Sequence, residues 1–284
     1  MLADLGLLYC AFFWGVSFPV MKILVGAYST CWLLFLRFTM GAAMLYAVFF
    51  RRVNKSFRHD LKGGVIMGFL LFLAVVTQTL GLNYTTSGRN AFITSIYVIL
   101  VPLMLWAVRK KFPGWLTIGA SCVCVAGMYF LAGDDISGGV NVGDVLTMIC
   151  AVFFAMQIIA ISRYTQDSDP ITLSVIEFAT IAAMSFVCSL VFERRTEFVN
   201  IPTLWGLMFM VVFCTFGCYT VQVVAQKYAE PSHATIIMSL ESVFGLVSGI
   251  VFLGEVLTVK GAAGCALIFA AVMMSELAPF MKRS

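Results

Sequence analysis

Four stretches of this sequence, residues 63–88, 90–108, 112–133 and 198–226, contain no Asp, Glu, Lys or Arg. A helix needs about 20 apolar residues to cross roughly 30 Å of hydrocarbon, and each stretch is close to that length or longer. Across the 284 residues, 61% are hydrophobic and only 11% are charged. A soluble domain carries about a quarter charged residues, so this chain has too few polar side chains to cover itself in water. It is an integral membrane protein.

Hydropathy predicts ten helices near 3–24, 30–50, 62–83, 88–108, 113–132, 143–162, 170–192, 202–226, 232–253 and 258–279. The connections are short and carry Gly, Pro, Asn, Ser or charge, as in "RRVNKSFRHDLK", "RKKFPG" and "GDDISGGVNVGD". None is long enough to form a soluble domain, so any activity belongs to the membrane-embedded part. The net charge of +4 reads as a topology signal, with no nucleic-acid partner expected. Arg51, Arg52, Lys55, Arg58 and Lys62 follow the second helix, and Arg109, Lys110 and Lys111 follow the fourth. Basic loops stay on the cytoplasmic side, which predicts both termini there. Arg194 and Arg195 oppose that bias in the second half. The first segment has Asp4 at its start and Lys22 at its far end, the wrong polarity for a cleaved signal. Nine cysteines, all within apolar runs and without CxxC spacing or clustered His, suggest packing rather than a disulfide framework or a metal site.

The acidic, Gly-rich loop at 133–143 divides the chain almost evenly, predicting a first repeat over 1–136 and a second over 137–284. The halves echo each other. Asp4, Trp14-Gly15 and Arg37-Phe38 precede Asp144, Phe154-Ala155 and Glu177-Phe178 by 140 residues; Gln78, Tyr84 and Ser95 precede Gln222, Tyr228 and Ser239 by 144. Five helices in each half would thread the second copy through the bilayer upside down. Inverted repeats of this kind build many secondary transporters, with sites near the midplane.

The motifs then resemble a known family. "AFFWGVSFPVMK" opens the first half, "FLRF" lies in the second helix, and "TSGRNAFITSIYVILVPLMLW" spans the fourth. "GDVLTMICAVFFAMQIIAISRY" and "SLESVFGLVSGIVFLGEVLTVKGAAGCALIFAAV" follow in the second half. In order and spacing, over nearly the whole chain, they resemble the drug/metabolite transporter superfamily in its EamA-type branch. The resemblance implies a gradient-driven carrier in the bacterial inner membrane, often an exporter of amino acids or other metabolites. It also implies a central cavity bounded by the first four and the sixth to ninth helices, with the fifth and tenth peripheral. Two departures stand out. Gly254-Glu255 end the ninth helix where the first half has Lys110-Lys111, and the Trp-Gly pair becomes Phe154-Ala155.

Ionisable groups deep in the helices are the strongest candidates for function, because charge near the bilayer centre faces a cavity or a partner. Arg37 and Glu177 each lie roughly 10 Å inside an interface, at opposite ends of the bilayer if the halves are inverted, so a direct pair between them is not expected. Glu241 lies near the middle of the ninth helix and Tyr97 near the middle of the fourth, which places both at the midplane cavity. Glu241, Gly245, Ser248, Gly249 and Phe252 form one helical stripe, and the small residues let a neighbouring backbone approach. Glu241 therefore points into the protein, either to carry a coupling proton or contact a substrate ammonium, or to brace the helix. Asn90, Gln157 and Gln222 can bond a substrate or tie helices together, and Trp14 can stack on a cation or pack in the core. Lys22 and Glu276, near helix ends, are expected to snorkel.

No HExxH, GxSxG or P-loop occurs, so neither an enzyme nor an ATP-driven pump is indicated, and no cofactor is expected. The reading is an all-α secondary transporter with a small-molecule substrate and a coupling proton in a lipid bilayer, acting as monomer or homodimer. The family resemblance alone favours export, and Glu241 with Arg37 together fit an amino acid or related compound. An uptake carrier for an organic cation, nucleoside or drug-like compound remains open, as does a non-transporting structural protein.

Overall fold

The computed structural model describes residues 2–132, 140–193, 201–253 and 258–281, and every regular element among them is helical. α1 (Leu2–Ala27) is followed by α2 (Thr30–Leu82), α3 (Ser87–Thr94), α4 (Tyr97–Arg109) and α5 (Trp115–Ala132). α6 (Val142–Tyr164) and α7 (Pro170–Phe192) come next. α8 (Ile201–Phe209) continues into a π-helical segment (Met210–Tyr219) and then α9 (Thr220–Gln226). α10 (Pro231–Met238), α11 (Leu240–Leu253) and α12 (Val259–Met281) complete the order. Among the described residues, six stretches are long and apolar enough to cross a bilayer: Leu2–Ala27, Thr30–Leu82, Gly88–Arg109, Val142–Tyr164, Pro170–Phe192 and Thr203–Gln226. Shorter apolar helices run over Trp115–Leu131 and Val259–Ser275.

The predicted helix boundaries differ from these in an instructive way. The basic linker 51–62 is not a loop: α2 stays helical for 53 residues, and its only non-helical backbone angles are at Phe49. Arg, Lys and Phe are tolerated in helices and no Pro or Gly lies between 51 and 62, so nothing stops the ladder after the bend. At 1.5 Å per residue such a helix would be about 80 Å long if straight, well beyond the bilayer. Conversely, the single helices predicted over 88–108 and 232–253 are each in two pieces, and the one over 202–226 changes its hydrogen-bond register. Residues 133–139, which hold the predicted division at 136/137, lie outside the described residues. So do Arg194, Arg195, Gly254, Glu255, Lys282, Arg283 and the side chains of Phe252 and Glu276.

In lipid, helices associate through close packing and hydrogen bonds rather than through removal of apolar surface from water. α2 packs chiefly on α7 and α6, α5 on α12, and α1 on α11. The α1–α11 crossing depends on Gly15: a Cβ there would sit 2.7 Å from Phe244 Cβ and 2.9 Å from Gly245 N, and against the Glu241 carbonyl. Gly127 and Gly264 play the same part between α5 and α12. Toward the end of the bundle that bears Arg109 and Lys227, Leu7 and Ala11 of α1, Val101 and Leu105 of α4, and Ala234 and Ile237 of α10 belong to one closed apolar cluster. At the start of α6, Asn141 and Asp144 form a capping box, and Asp144 also pairs with Arg89 of α3 at 2.5 Å.

Candidate functional site

Two helices are interrupted at matching points. α3 ends at Thr94 and α4 starts at Tyr97; α10 ends at Met238 and α11 starts at Leu240. At both breaks the ladder tightens to i→i+3 bonds, with Val98 N donating to Ser95 O at 3.0 Å and Ser242 N to Ser239 O at 3.1 Å. A serine occupies each break, and each hydroxyl turns back onto its own helix: Ser95 Oγ donates to Ala91 O at 2.8 Å and Ser239 Oγ to Ile236 O at 2.5 Å. Tyr97 and Glu241 consequently lie in the first turn of the helix that follows each break. The N-terminal end of a helix dipole favours an acidic group. Ser95 Oγ lies 3.5 Å from Glu241 Oε1, and Tyr97 lines the same cavity. The dipole, the Ser95 hydroxyl and the cavity beside it make Glu241 tolerable there.

Tyr97 and Glu241 border a central cavity that encloses about 730 Å³ of non-atom space, counting the open solvent at its mouth. Trp14, Ser17, Phe18 and Met21 line it from α1, Arg37, Gln78, Thr79 and Leu82 from α2, and Asn90 and Thr94 from α3. Across from them stand Phe154 and Ile158 of α6, Met210 and Tyr219 of the π-helical segment, Gln222 of α9 and Met238 of α10. Nothing from α5 or α12 reaches it among the described residues. Its charged lining groups are Arg37 and Glu241. Arg37 Nε donates to Thr215 Oγ1 at 2.5 Å, and the guanidinium faces the rings of Phe38 and Tyr219 at 5.4 and 5.8 Å. Asn90 Nδ2 donates to Gln78 O at 3.2 Å and Thr147 Oγ1 at 2.9 Å, which fixes the orientation of that amide. Among the described residues, no group of three or more His, Cys, Asp or Glu side chains could hold a metal.

Comparison with known proteins agrees with this architecture. The EamA-like transporter family matches residues 1–133 and again residues 141–277. The chain belongs to the EamA-like transporter family. An uncharacterized transporter of Archaeoglobus fulgidus is 34% identical over 275 residues, covering 97% of this chain and 86% of that protein. The uncharacterized transporter YoaV of Bacillus subtilis is 24% identical and covers 95% of both. A protein of known crystal structure superposes with a TM-score of 0.84 over 99% of each chain at 17% identity, a likeness of fold alone.

Within this EamA-like transporter, six residues singled out from the sequence line the cavity: Trp14, Arg37, Asn90, Tyr97, Gln222 and Glu241. Gln157 and Glu177 do not line it. Both are fully buried between α6 and α7, where Gln157 Nε2 donates to Glu177 Oε1 at 2.9 Å. Lys22 does not simply reach for the interface; its Nζ donates to Leu82 O at 2.6 Å and Thr85 O at 3.1 Å, capping the end of α2. His233, at the start of α10, lies 2.9 Å from Ser275 Oγ and 3.2 Å from Asp4 Oδ1, joining three helices. Sequence reasoning missed Gln78, Thr94 and Tyr219 as lining residues. The Gln78–Gln222 correspondence was the signal available for the first; nothing in the pattern of an apolar span marks Tyr219.

Proposed function

We propose that this chain is a secondary transporter that carries an amino acid or a related zwitterion across the bacterial plasma membrane by alternating access, with the central cavity as the substrate site. The observation that carries the reading is the presence, in one cavity whose described lining is otherwise uncharged, of both the Arg37 guanidinium and the Glu241 carboxylate. Arg37 suits a substrate carboxylate and Glu241 an ammonium, and the apolar side chains that also line the cavity suit a carbon skeleton. Trp14, Tyr97, Asn90 and Gln222 would complete the contacts, while Gln157 and Glu177 would act through the α6–α7 seam.

The finer picture is ten spans in two inverted five-helix repeats, 1–136 and 137–284, with both termini in the cytoplasm. The double family match and the interruptions at Ser95 and Ser239 support the repeats. The apolar cluster around Leu7, Val101 and Ile237 then closes the cytoplasmic half, leaving the cavity for the outer half. Glu241 is the candidate for the coupling proton, since a carboxylate beside hydroxyls at a water-reachable midplane can load on one side and release on the other. Export is the direction preferred by likeness to the family.

The test is radiolabelled flux into proteoliposomes under an imposed pH gradient, run over a panel of amino acids, amines and nucleosides. Uptake of an amino acid that follows the gradient and collapses in Glu241→Gln is expected. Flux that ignores the substitution removes Glu241 from coupling, and flux of amines or nucleosides but of no amino acid overturns the substrate class.

A further inference from the structure

The span from α8 to α9 carries a feature that transport chemistry does not by itself require. For the ten residues Met210–Tyr219 its ladder runs i→i+5 instead of i→i+4. Such geometry is rare, normally confined to a single turn, and frequent at functional sites. Here side chains hold it. Thr215 Oγ1 donates to Met210 O, five residues back, at 3.0 Å, and so spans one π turn. The same oxygen accepts Arg37 Nε. Helix α1 takes up carbonyls of the segment: Trp14 Nε1 donates to Cys214 O at 3.4 Å and Cys10 Sγ to Cys218 O at 3.2 Å. Two of these donors, Arg37 and Trp14, line the cavity, and so do Met210 at the head of the segment and Tyr219 at its end.

We propose that Met210–Tyr219 is a register switch thrown by cavity occupancy. With Arg37 resting on Thr215 the segment is π-helical; when an anionic group of the substrate draws the guanidinium away, the segment closes to an α-helix and α9 turns. The proposal rests on the reading of the cavity as a site for a carboxylate-bearing substrate. A shift of one residue in register turns the rest of the helix by about 100°, which sweeps Tyr219 and Gln222 around the axis and remodels the cavity wall. Tyr219 stands over the Arg37 guanidinium, so the coupling runs both ways: the turned helix withdraws a contact from the side chain that released it. Thr215 is fully buried and off the cavity lining, which makes it a positioning residue for Arg37.

Amide hydrogen exchange of the full purified protein, without substrate, tests this. In Thr215→Val, which removes the hydroxyl, amides 214–219 are expected to exchange about tenfold more slowly as the weak π ladder gives way to an α ladder. Thr215→Ser keeps the hydroxyl and should retain the native pattern. Arg37→Lys, which keeps the charge but lacks Nε, should behave like the valine variant and decides the matter if that variant does not fold. Unchanged or faster exchange at 214–219, or loss of protection spreading through α1 and α2, overturns the switch; so does a serine variant that behaves like valine. Because no substrate enters this measurement, a failed flux panel sinks the amino-acid reading, whereas native exchange beside working flux sinks the switch alone.

Discussion

The interruption at Ser95 and the one at Ser239 share a backbone and differ in chemistry. Each breaks an apolar helix, each tightens to i→i+3 bonding, and each turns a serine hydroxyl onto its own helix. Two residues on, the first presents a phenol, Tyr97, and the second a carboxylate, Glu241. Their surroundings diverge too. Ser95 also reaches Glu241, whereas Ser239 accepts Cys124 Sγ at 2.9 Å, away from the cavity lining. Nearby, Gly15 admits α11 at its own crossing, while Ala155, at the corresponding place in the second half, already carries a Cβ in the core. A recurrent backbone device can thus be kept while the charge it supports appears once.

That contrast can be broken experimentally. The largest effect belongs to the side chains after the breaks: Glu241→Gln should reduce gradient-driven flux to background, while Tyr97→Phe, which loses one hydroxyl, should leave measurable flux with an altered pH profile. Equal losses would mean that the two half-helices do the same work. At the crossings, Gly15→Ala forces a methyl against backbone atoms of α11 and should cost about 1–3 kcal/mol in a detergent unfolding assay. The opposite exchange, Ala155→Gly, should cost about 1 kcal/mol through helix propensity and lost packing. At the breaks themselves, Ser95→Ala should lower flux several-fold because it removes the hydroxyl that lies 3.5 Å from Glu241, with a net cost of about 1 kcal/mol. Ser239→Ala should leave flux near the native rate.

The smallest effect lies outside the spans, at the cap of α7. Burial resists ionisation of Asp169, but Arg52 at 2.5 Å and the Thr172 amide and hydroxyl outweigh it, so its carboxyl titrates below the usual aspartate range. A lowered native value means the contribution is fully present above the ordinary value of about 4 and is lost as pH falls through the native one. The difference in thermal midpoint between the native protein and Asp169→Asn should therefore hold steady from pH 7 to about 5 and shrink below 4. Arg52 is half exposed, so the difference is small and decreases with salt.

Length and hydropathy determined on their own that this chain is a helical membrane protein, because too few charged residues exist to clothe it in water. The position of Glu241 among small residues determined that it points inward, since hydrocarbon offers no alternative. Local composition could not settle the rest. A basic stretch compatible with a helix reads as a linker until the bend at Phe49 shows it continuing, and an apolar span reads the same whether its ladder runs i→i+4 or i→i+5. Only tertiary contacts chose: Thr215, Trp14 and Cys10 hold the π segment, and Gln157 draws Glu177 into a seam beside the cavity rather than onto its wall. Burial in lipid can be read from one residue at a time, but partnership across helices depends on which faces meet.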